Sequence, residues 1–453
     1  MIPVLTPTEM AAVDAAAPEP VEVLIRRAAS AVARAALDLL GGTYGRRVVV
    51  VAGPGNNGND GRVAAEQLRR RGVRVVVHDV ADAPSVLERS DLVIDAAFGT
   101  GFRGSYDFPD PNGAPVLAVD IPSGISGLSG VGSGRPARAV ATVTFAALKP
   151  GLLLGEGPGH TGRVTVADIG LDVSGARAGL VTDADVAGWV PLRRTDDHKW
   201  RHAVWVVAGS PGMDGAAQLA STAALRAGAG YVRLTVPGGR RSGRRSPIEA
   251  VAVDLPSDAW ADALSSGAGA SRFGCVAVGP GLGRTDEVRD QVRSALAGVG
   301  IPVVLDGDGL WAISDGPVAA LVRRRPATVL TPHDGELEML TGAPPGADRI
   351  DAARSLASDT GAVVLLKGPT TVVSEPDGQV ALVSSGDERL ATAGTGDVLT
   401  GTIAALVAAG AEPFHAAAAG AHLHGRAAML CPERGTVASD VAAALPAAWA
   451  ALS

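Results

Sequence analysis

Short runs of aliphatic, mostly β-branched residues recur along this chain with little or no polar interruption: RRVVVVAG at 46–53, DLVIDAAFG at 91–99 and PVLAVDIPSG at 115–124. A strand with one wet face alternates apolar and polar residues, whereas a run without alternation is buried on both faces, as in a parallel sheet covered on each side. Segments between the runs, such as 62–71 with Val63, Ala64, Gln67 and Leu68, read as crossover helices. RVVVHDV at 74–80, TVTFAA and RVTVADIG complete this first series. Its rhythm stops over 171–197, a mixed polar stretch that reads as a linker. A second series follows: AVWVVAGS at 203–210, YVRLTVP at 231–237, CVAVGPGLG at 275–283, PVVLDGDGL, ATVLTPHDGE and AVVLLKGPTTVVSEPDGQVALV. The last of these carries hairpin turns at 367–370 and 377–378, and 394–430 reads as helix rich in Ala and Gly. The expectation is an α/β chain of two domains, 1–190 and 191–453, the second ending in helices.

Composition narrows the function. With 59 Gly and 30 Pro but only six Trp, three Tyr and six Phe in 453 residues, the chain is suited to tight turns and aliphatic packing, not to base-stacking platforms. The net charge of −7 is interspersed, and the one basic cluster, Arg240, Arg241, Arg244 and Arg245, is too short to track a phosphate backbone and reads as a solvated loop. No nucleic-acid partner is expected. Cys275 and Cys431 form neither a disulfide framework nor a metal spacing, which fits a reducing compartment. The N-terminus lacks a signal-peptide pattern and no 18-residue uncharged apolar run occurs, so a cytoplasmic protein without membrane association is expected. Of forty basic residues only Lys149, Lys199 and Lys367 are lysine. Positions that keep Lys against such a bias either need a compact point charge or are chance survivors.

Two clusters of motifs carry chemistry. The run 46–52 leads into Gly53-Pro-Gly-Asn-Asn-Gly-Asn-Asp-Gly61, a glycine-rich loop ahead of a helix at the carboxyl edge of a parallel sheet, where ligands bind. It is not the dinucleotide fingerprint, because Asn56, Asn57, Asn59 and Asp60 fill it with oxygens suited to a hard cation, a ribose or an amide ring. A plain turn held by Asx hydrogen bonds is the alternative. Asp95 and Asp120 end the next strands at the same edge, as parts of a cation-assisted or acid-base site or as simple caps. In the second series, Ala393-Gly-Thr-Gly-Asp-Val-Leu-Thr-Gly401 opens an apolar helix. Gly394 and Gly396 let amides curl around an anion, and Asp397 would sit beside a phosphoryl group in transfer and accept a hydroxyl proton. A glycine-linked helix start with a stabilising Asp is the plainer reading. His422 and His424 lie two apart on a predicted helix, no HExxH occurs, and Trp200, Trp205 and Trp311 read as packing residues. His333 follows a strand and precedes Asp334, Gly335 and Glu336 at a helix start, in a role that is either functional or capping.

GPGNNGNDG, DAAFGTGFRG, VDIPSG, TFAALKPGLLLGEGPGHTG and VADIG, with Thr6, Glu9, Met10 and Asp14 ahead of them, resemble the epimerase domain of the bifunctional NAD(P)H-hydrate repair enzymes over roughly 1–170. The resemblance implies that Asn56, Asn57, Gly58, Asn59 and Asp60, with Gly99, Thr100, Gly101, Phe102, Arg103, Gly104 and Ser105, hold the hydrated dinucleotide. It also implies that Asn57, Asp95 and Ser123 bind potassium and that Asp120 contacts substrate. Asp120 or Asp60 would be the acid-base group, and Lys149 lies in the matching stretch without an assigned role. One departure is NNGND, where the family has a second glycine; Asn tolerates positive φ, so the turn is expected to persist.

The Gly-Thr-Gly-Asp turn resembles the anion hole of the ribokinase-like superfamily. HKW at 198–200, VVAGSPGMDGAAQLASTAALRAGAGYV, GPGLGR, LDGDGL, TPHDGE and LLKGPTTVV resemble the ADP-dependent dehydratase domain of the same repair enzymes. This implies hydrate contacts at Gly281, His333 and Asp397. Nucleotide contacts are implied at Lys367, Gly368, Pro369, Thr370 and Thr371, and at Asp387, Gly394, Thr395 and Gly396. Gly307 where Ala is usual, and a missing glycine after the HK pair, are departures away from the chemistry. The fold so implied is a Rossmann-like three-layer sandwich followed by a ribokinase-like α/β domain. The function implied is interconversion of R and S hydrates and ADP-dependent dehydration of the S form, with K+ in the first domain, Mg2+ with ADP in the second, and a homo-oligomeric assembly. A kinase of a small alcohol, or a dinucleotide sensor without turnover, would share the second turn. The Asn-rich first sheet and TPHDGE set the repair reading apart from the kinase, and turnover of NADH hydrate with ADP and magnesium sets it apart from the sensor.

Overall fold

The computed structural model describes residues 1–239, 246–266, 270–323 and 327–452, so the arginine cluster at 240–245 lies outside the described residues. The chain divides into two compact units, 2–178 and 179–453, with Met1 grouped with the second.

In the first unit six parallel strands, β1 (Arg47–Ala52), β2 (Arg74–Asp79), β3 (Leu92–Ala96), β4 (Val116–Val119), β5 (Ala141–Phe145) and β6 (Arg163–Ala167), form one sheet in the order β2-β1-β3-β4-β5-β6. Strand β1 shows why its sequence does not alternate. Val48, Val50 and Ala52 pack against Ala28, Val32 and Ala36 of helix α2 (Val21–Leu40) and Ala64 and Leu68 of α3 (Asn56–Arg70). Val49 and Val51 face a separate core with Leu87, Phe108 and Ala137. Ahead of α2 lies α1 (Pro7–Ala15). Thr6 caps it by accepting the Glu9 amide at 3.2 Å, while the Glu9 carboxylate accepts the Thr6 amide at 2.8 Å.

The second unit is built on strands β7 (Ala178–Leu180), β8 (Ala203–Val207), β9 (Tyr231–Thr235), β10 (Val251–Ala252), β11 (Cys275–Val278), β12 (Val303–Leu305), β13 (Thr328–Leu330), β14 (Val363–Leu366), β15 (Thr371–Ser374) and β16 (Val380–Val383). Their order is β7-β16-β15-β14-β13-β12-β11-β8-β9-β10. The pairs from β10 through β14 are parallel, and β14-β15-β16 is an antiparallel meander joined by the two expected turns. The stretch read as a linker, 171–197, is instead partly built into this unit. The Val181 amide donates to the Leu382 carbonyl, and a helix at Asp183–Trp189 carries a capping box from Thr182 and Asp185. A strand of three residues and a helix of seven are too short for periodicity to register.

Helix α4 (Asp214–Arg226) lies against α5 (Thr395–Ala408), which is followed by α6 (Pro413–Met429) and α7 (Ala438–Ala450). Residues 398–408 of α5 are all buried, which fits a helix apolar on every side. No helix among the described residues is long and apolar enough to cross a membrane.

Gly401 sets how closely α5 approaches α4: a Cβ there would stand 2.0 Å from the Ala220 carbonyl oxygen. Gly401→Ala is therefore expected to lower the stability of this unit by about 1–3 kcal/mol, read as a lower urea midpoint. An unchanged midpoint would show that the helices have room to separate.

Candidate active sites

The first site is a cavity of about 650 Å³ at the carboxyl edge of the first sheet. Its floor depends on close backbone approach. A Cβ at Gly53 would lie 1.8 Å from the Ala97 carbonyl oxygen and one at Gly58 1.9 Å from that of Gly53, so α3 begins almost against the strand tips. The segment Asn56–Asp60, read from sequence as a loop, is the opening of α3, with Gly55 as its cap. Asn59 accordingly donates its amide to the Gly55 carbonyl within the helix and needs no positive φ. Asn56, Asn57 and Asp60 line the cavity, whereas Gly58 and Asn59 do not.

Opposite them Gly99, Thr100, Gly101 and Phe102 line the cavity, with the Phe102 ring stacked on Phe98 at 4.1 Å. Arg103, Gly104 and Ser105 lie beyond the lining. Arg103 is exposed and its guanidinium donates to the Phe102 carbonyl at 2.9 Å.

Asp120 follows β4 with φ +67, a left-handed conformation that is strained for a residue with a Cβ and concentrates at functional sites. Its Oδ1 accepts Lys149 Nζ at 2.6 Å and Thr144 Oγ1 at 3.1 Å. Lys149 is almost wholly buried, and its remaining hydrogens go to Thr144 Oγ1 at 2.8 Å and the Phe145 carbonyl at 3.0 Å. Asp14, brought in by the capped α1, also lines the cavity, and burial raises its carboxyl above the usual range. Asp60 is pushed up to about 8, first by burial and then by the charges of Asp120 and Asp14.

Beside the cavity Asp95 is fully buried. Its Oδ1 accepts Ser123 Oγ at 2.6 Å and its Oδ2 accepts the Ser123 amide at 2.7 Å. Burial lifts its carboxyl to about 6 against these hydrogen bonds. The Nδ2 of Asn57 is buried without a partner, and the Asn57 Cγ lies 3.6 Å from where a Cβ on Gly99 would stand.

The second site gathers at the start of α5. Gly394, with φ +91, caps the helix, and Thr395 Oγ1 donates back to the Leu390 and Thr392 carbonyls at 2.8 and 2.9 Å, pinning the turn. Asp306, fully buried just after β12, accepts Lys367 Nζ at 2.8 Å and Thr400 Oγ1 at 2.7 Å. Burial opposes its charge, but the Lys367 ammonium and these donors hold its carboxyl below the usual range. Burial likewise works against the Lys367 charge, and Asp306 and Glu336 raise its pKa regardless. A Cβ on Gly396 would lie 3.7 Å from Lys367 Nζ and 3.8 Å from Asp306 Oδ2, so the turn faces this pair. Asp397 is pushed up to about 7, first by burial and then by the Asp306 charge.

The structure separates the other expected residues by role. His333 is the N-cap of a helix at Asp334–Thr341; its Nδ1 accepts the Glu336 amide at 3.1 Å, and Glu336 in turn lies 3.5 Å from Lys367 Nζ. Gly281, with φ +60, approaches Met213 and Ala216 at the head of α4. The turn after β14 exposes Gly368 and Pro369, buries Thr370, and returns through Thr371 into β15. Asp387 pairs with Arg389 at 2.8 Å. His422 reaches Asp183 at 2.6 Å. His424 backs the Gly394–Thr395 turn, its imidazole pushed down to about 4 by burial and the nearby Lys367 charge. Lys199 lies in neither site; its ammonium sits over the Trp200 and Tyr231 rings.

Sequence reasoning named Asp14, Lys149 and Glu336 without giving them a role, and missed Thr144, Asp306 and Thr400. For Asp306 the signal was present, since LDGDGL ends a strand in Asp just as DLVID and VLAVD do.

Both units match known families. The family model described as NAD(P)H-hydrate dehydratase matches residues 204–447, and that of the YjeF-related protein N-terminus matches 21–88 and 78–151. The bifunctional NAD(P)H-hydrate repair enzyme Nnr of Moorella thermoacetica is 37% identical over 439 residues, covering 84% of this chain and 82% of its own. Its namesake from Mycobacterium tuberculosis is 39% identical over 428 residues, covering 87% and 86%. The crystal structure of the ADP/ATP-dependent NAD(P)H-hydrate dehydratase from Bacillus subtilis, co-crystallised with ATP and Mg2+, aligns at 29% identity and TM-score 0.51 over 60% of this chain and 98% of its own. On these matches to both of its units, the chain belongs to the family of bifunctional NAD(P)H-hydrate repair enzymes.

Proposed function

We propose that this chain repairs hydrated NADH and NADPH, its first unit interconverting the R and S hydrates and its second dehydrating the S hydrate with ADP to give NAD(P)H, AMP and phosphate. The observation that carries the second activity is the placement of Asp397, a carboxyl titrating near neutrality at the head of α5, next to the Lys367–Asp306 pair. Asp397 takes the proton of the C6 hydroxyl as its oxygen attacks the terminal phosphorus of ADP. The amides at the Gly394 turn and the positive end of α5 stabilise the charge on the transferring group, and Lys367 offers a fixed cation beside them. The phosphorylated oxygen then leaves as phosphate while the ring-nitrogen lone pair forms a double bond to C6. Loss of a proton from C5 restores the dihydronicotinamide. Magnesium bound with the nucleotide supplies charge neutralisation on its phosphates.

In the first unit the residues fit a monovalent cation. Asp95 is a buried carboxyl with no basic side chain against it among the described residues, and the Ser123 hydroxyl and the Asn57 side chain, whose amide oxygen is the atom suited to a cation, lie around the same loop. Potassium held by Asn57, Asp95 and Ser123 would offset that buried charge and fix the 97–99 segment that lines the cavity. A homo-oligomer and a cytoplasmic location complete the reading.

Incubating the protein with NADH hydrate, ADP and magnesium is expected to restore the near-ultraviolet absorbance of NADH. Asp397→Ala is expected to reduce that rate by about 10²–10⁴-fold while nucleotide binding persists. Because the base must be ionised, the wild-type rate is expected to fall as pH drops through about 7. Full activity of Asp397→Ala would remove the assignment.

Replacing potassium with tetramethylammonium is expected to slow epimerisation in the wild type and to have little effect on an already slowed Asp95→Asn variant. Equal wild-type rates in the two salts would count against the cation.

A further inference from the structure

The epimerase cavity holds more carboxyl groups than counter-charges. Asp14, Asp60 and Asp120 all line it, together with the single ammonium of Lys149. That ammonium is already committed, donating to Asp120, Thr144 and the Phe145 carbonyl. Other charged groups nearby are also engaged: Glu19 pairs with Arg27 at 3.0 Å, and Arg62, on Asp60's own helix, donates to the Gly53 carbonyl and to Asp79. Asp95 is bound to Ser123. The charged groups acting on Asp60 are therefore the carboxyls of Asp120, from the end of β4, and Asp14, from α1. Three carboxyls around one cation do not all ionise together; one holds a proton.

Resting on the epimerase reading above, we propose that Asp60 is the proton donor and acceptor of the epimerisation and that Asp120, fixed by Lys149, is the stationary negative charge that stabilises the cationic intermediate. Asp60 protonates the C6 hydroxyl; the C6–O bond breaks, water departs, and the ring-nitrogen lone pair becomes the second bond of a planar C6=N cation. Water then adds to C6. Addition to the face that was vacated regenerates the starting hydrate, and addition to the other face gives its epimer. The proton released by the incoming water returns to Asp60, so atoms and charge balance over the cycle. The raised titration of Asp60 suits this role, because the group is still protonated at neutral pH.

The test measures interconversion of separated R and S hydrates without ADP, as a function of pH, in the full-length chain. In the wild type kcat is expected to decline above pH about 8, where Asp60 loses its proton. Asp60→Asn is expected to lose about 10²-fold or more in kcat with little change in KM and without the alkaline decline, and Asp60→Glu to recover part of the rate. ADP-dependent dehydration of purified S hydrate by the same variants reports whether the protein is intact. Wild-type kcat in Asp60→Asn, or an unchanged alkaline limb, would overturn the assignment. A folded wild-type protein that dehydrates the S hydrate but leaves the R hydrate unconverted would instead take down the epimerase reading itself.

Discussion

A buried lysine–aspartate pair at the tip of a parallel sheet organises each unit, Lys149 with Asp120 in the first and Lys367 with Asp306 in the second. Taking two charges out of water is expensive, and such a pair persists only where further hydrogen bonds complete it. Thr144 and the Phe145 carbonyl do this in the first unit, and Thr400 in the second. Each pair also fixes a negative charge beside a carboxyl that has no cation of its own. Asp60 feels Asp120 and Asp397 feels Asp306, and in each the raised titration starts from burial and is extended by that neighbour. Two unrelated sheets thus reach the same electrostatic device from the same geometry, because strand tips in a parallel sheet point their terminal side chains to one edge.

Close backbone packing places the carboxyls. Helix α3 can bring Asn57 and Asp60 to the strand tips only because Gly53 and Gly58 carry no Cβ, and α5 can bring Asp397 next to Asp306 only because Gly401 admits the Ala220 carbonyl. The abundance of Gly and Ala in these helices is therefore a requirement of the sites as much as of the cores. It explains why helices of modest intrinsic propensity form here: tertiary contact stabilises them where propensity does not.

Much of this was legible before any coordinates. Unalternating apolar runs gave away the doubly covered sheets, and aspartates ending those runs marked Asp95 and Asp120, while the glycine turn marked Asp397. What could not be read is pairing at long range. Lys149 lies 29 residues from Asp120 and Lys367 lies 61 from Asp306, and the first contact depends on the left-handed conformation that Asp120 adopts. The scarcity of lysine pointed at both positions without naming partners, and it pointed equally at Lys199, which lies over two aromatic rings outside either site. The Gly-Asn segment was mistaken for a loop because its residues favour loops in isolation, and the close packing of Gly58 on Gly53 and of Gly61 on Ala96 overrides that preference.

The two raised carboxyls also bear on why one polypeptide can run both reactions together. Under the roles proposed, the first unit needs its carboxyl protonated and the second needs its carboxyl ionised, demands that would conflict if both groups had ordinary carboxylate titrations. Burial moves both upward by different amounts, Asp60 to about 8 and Asp397 to about 7. Both groups then titrate close to neutral pH, so a protonated donor and an ionised acceptor are each populated there, Asp60 raised by burial with Asp120 and Asp14, and Asp397 by burial with Asp306 against Lys367.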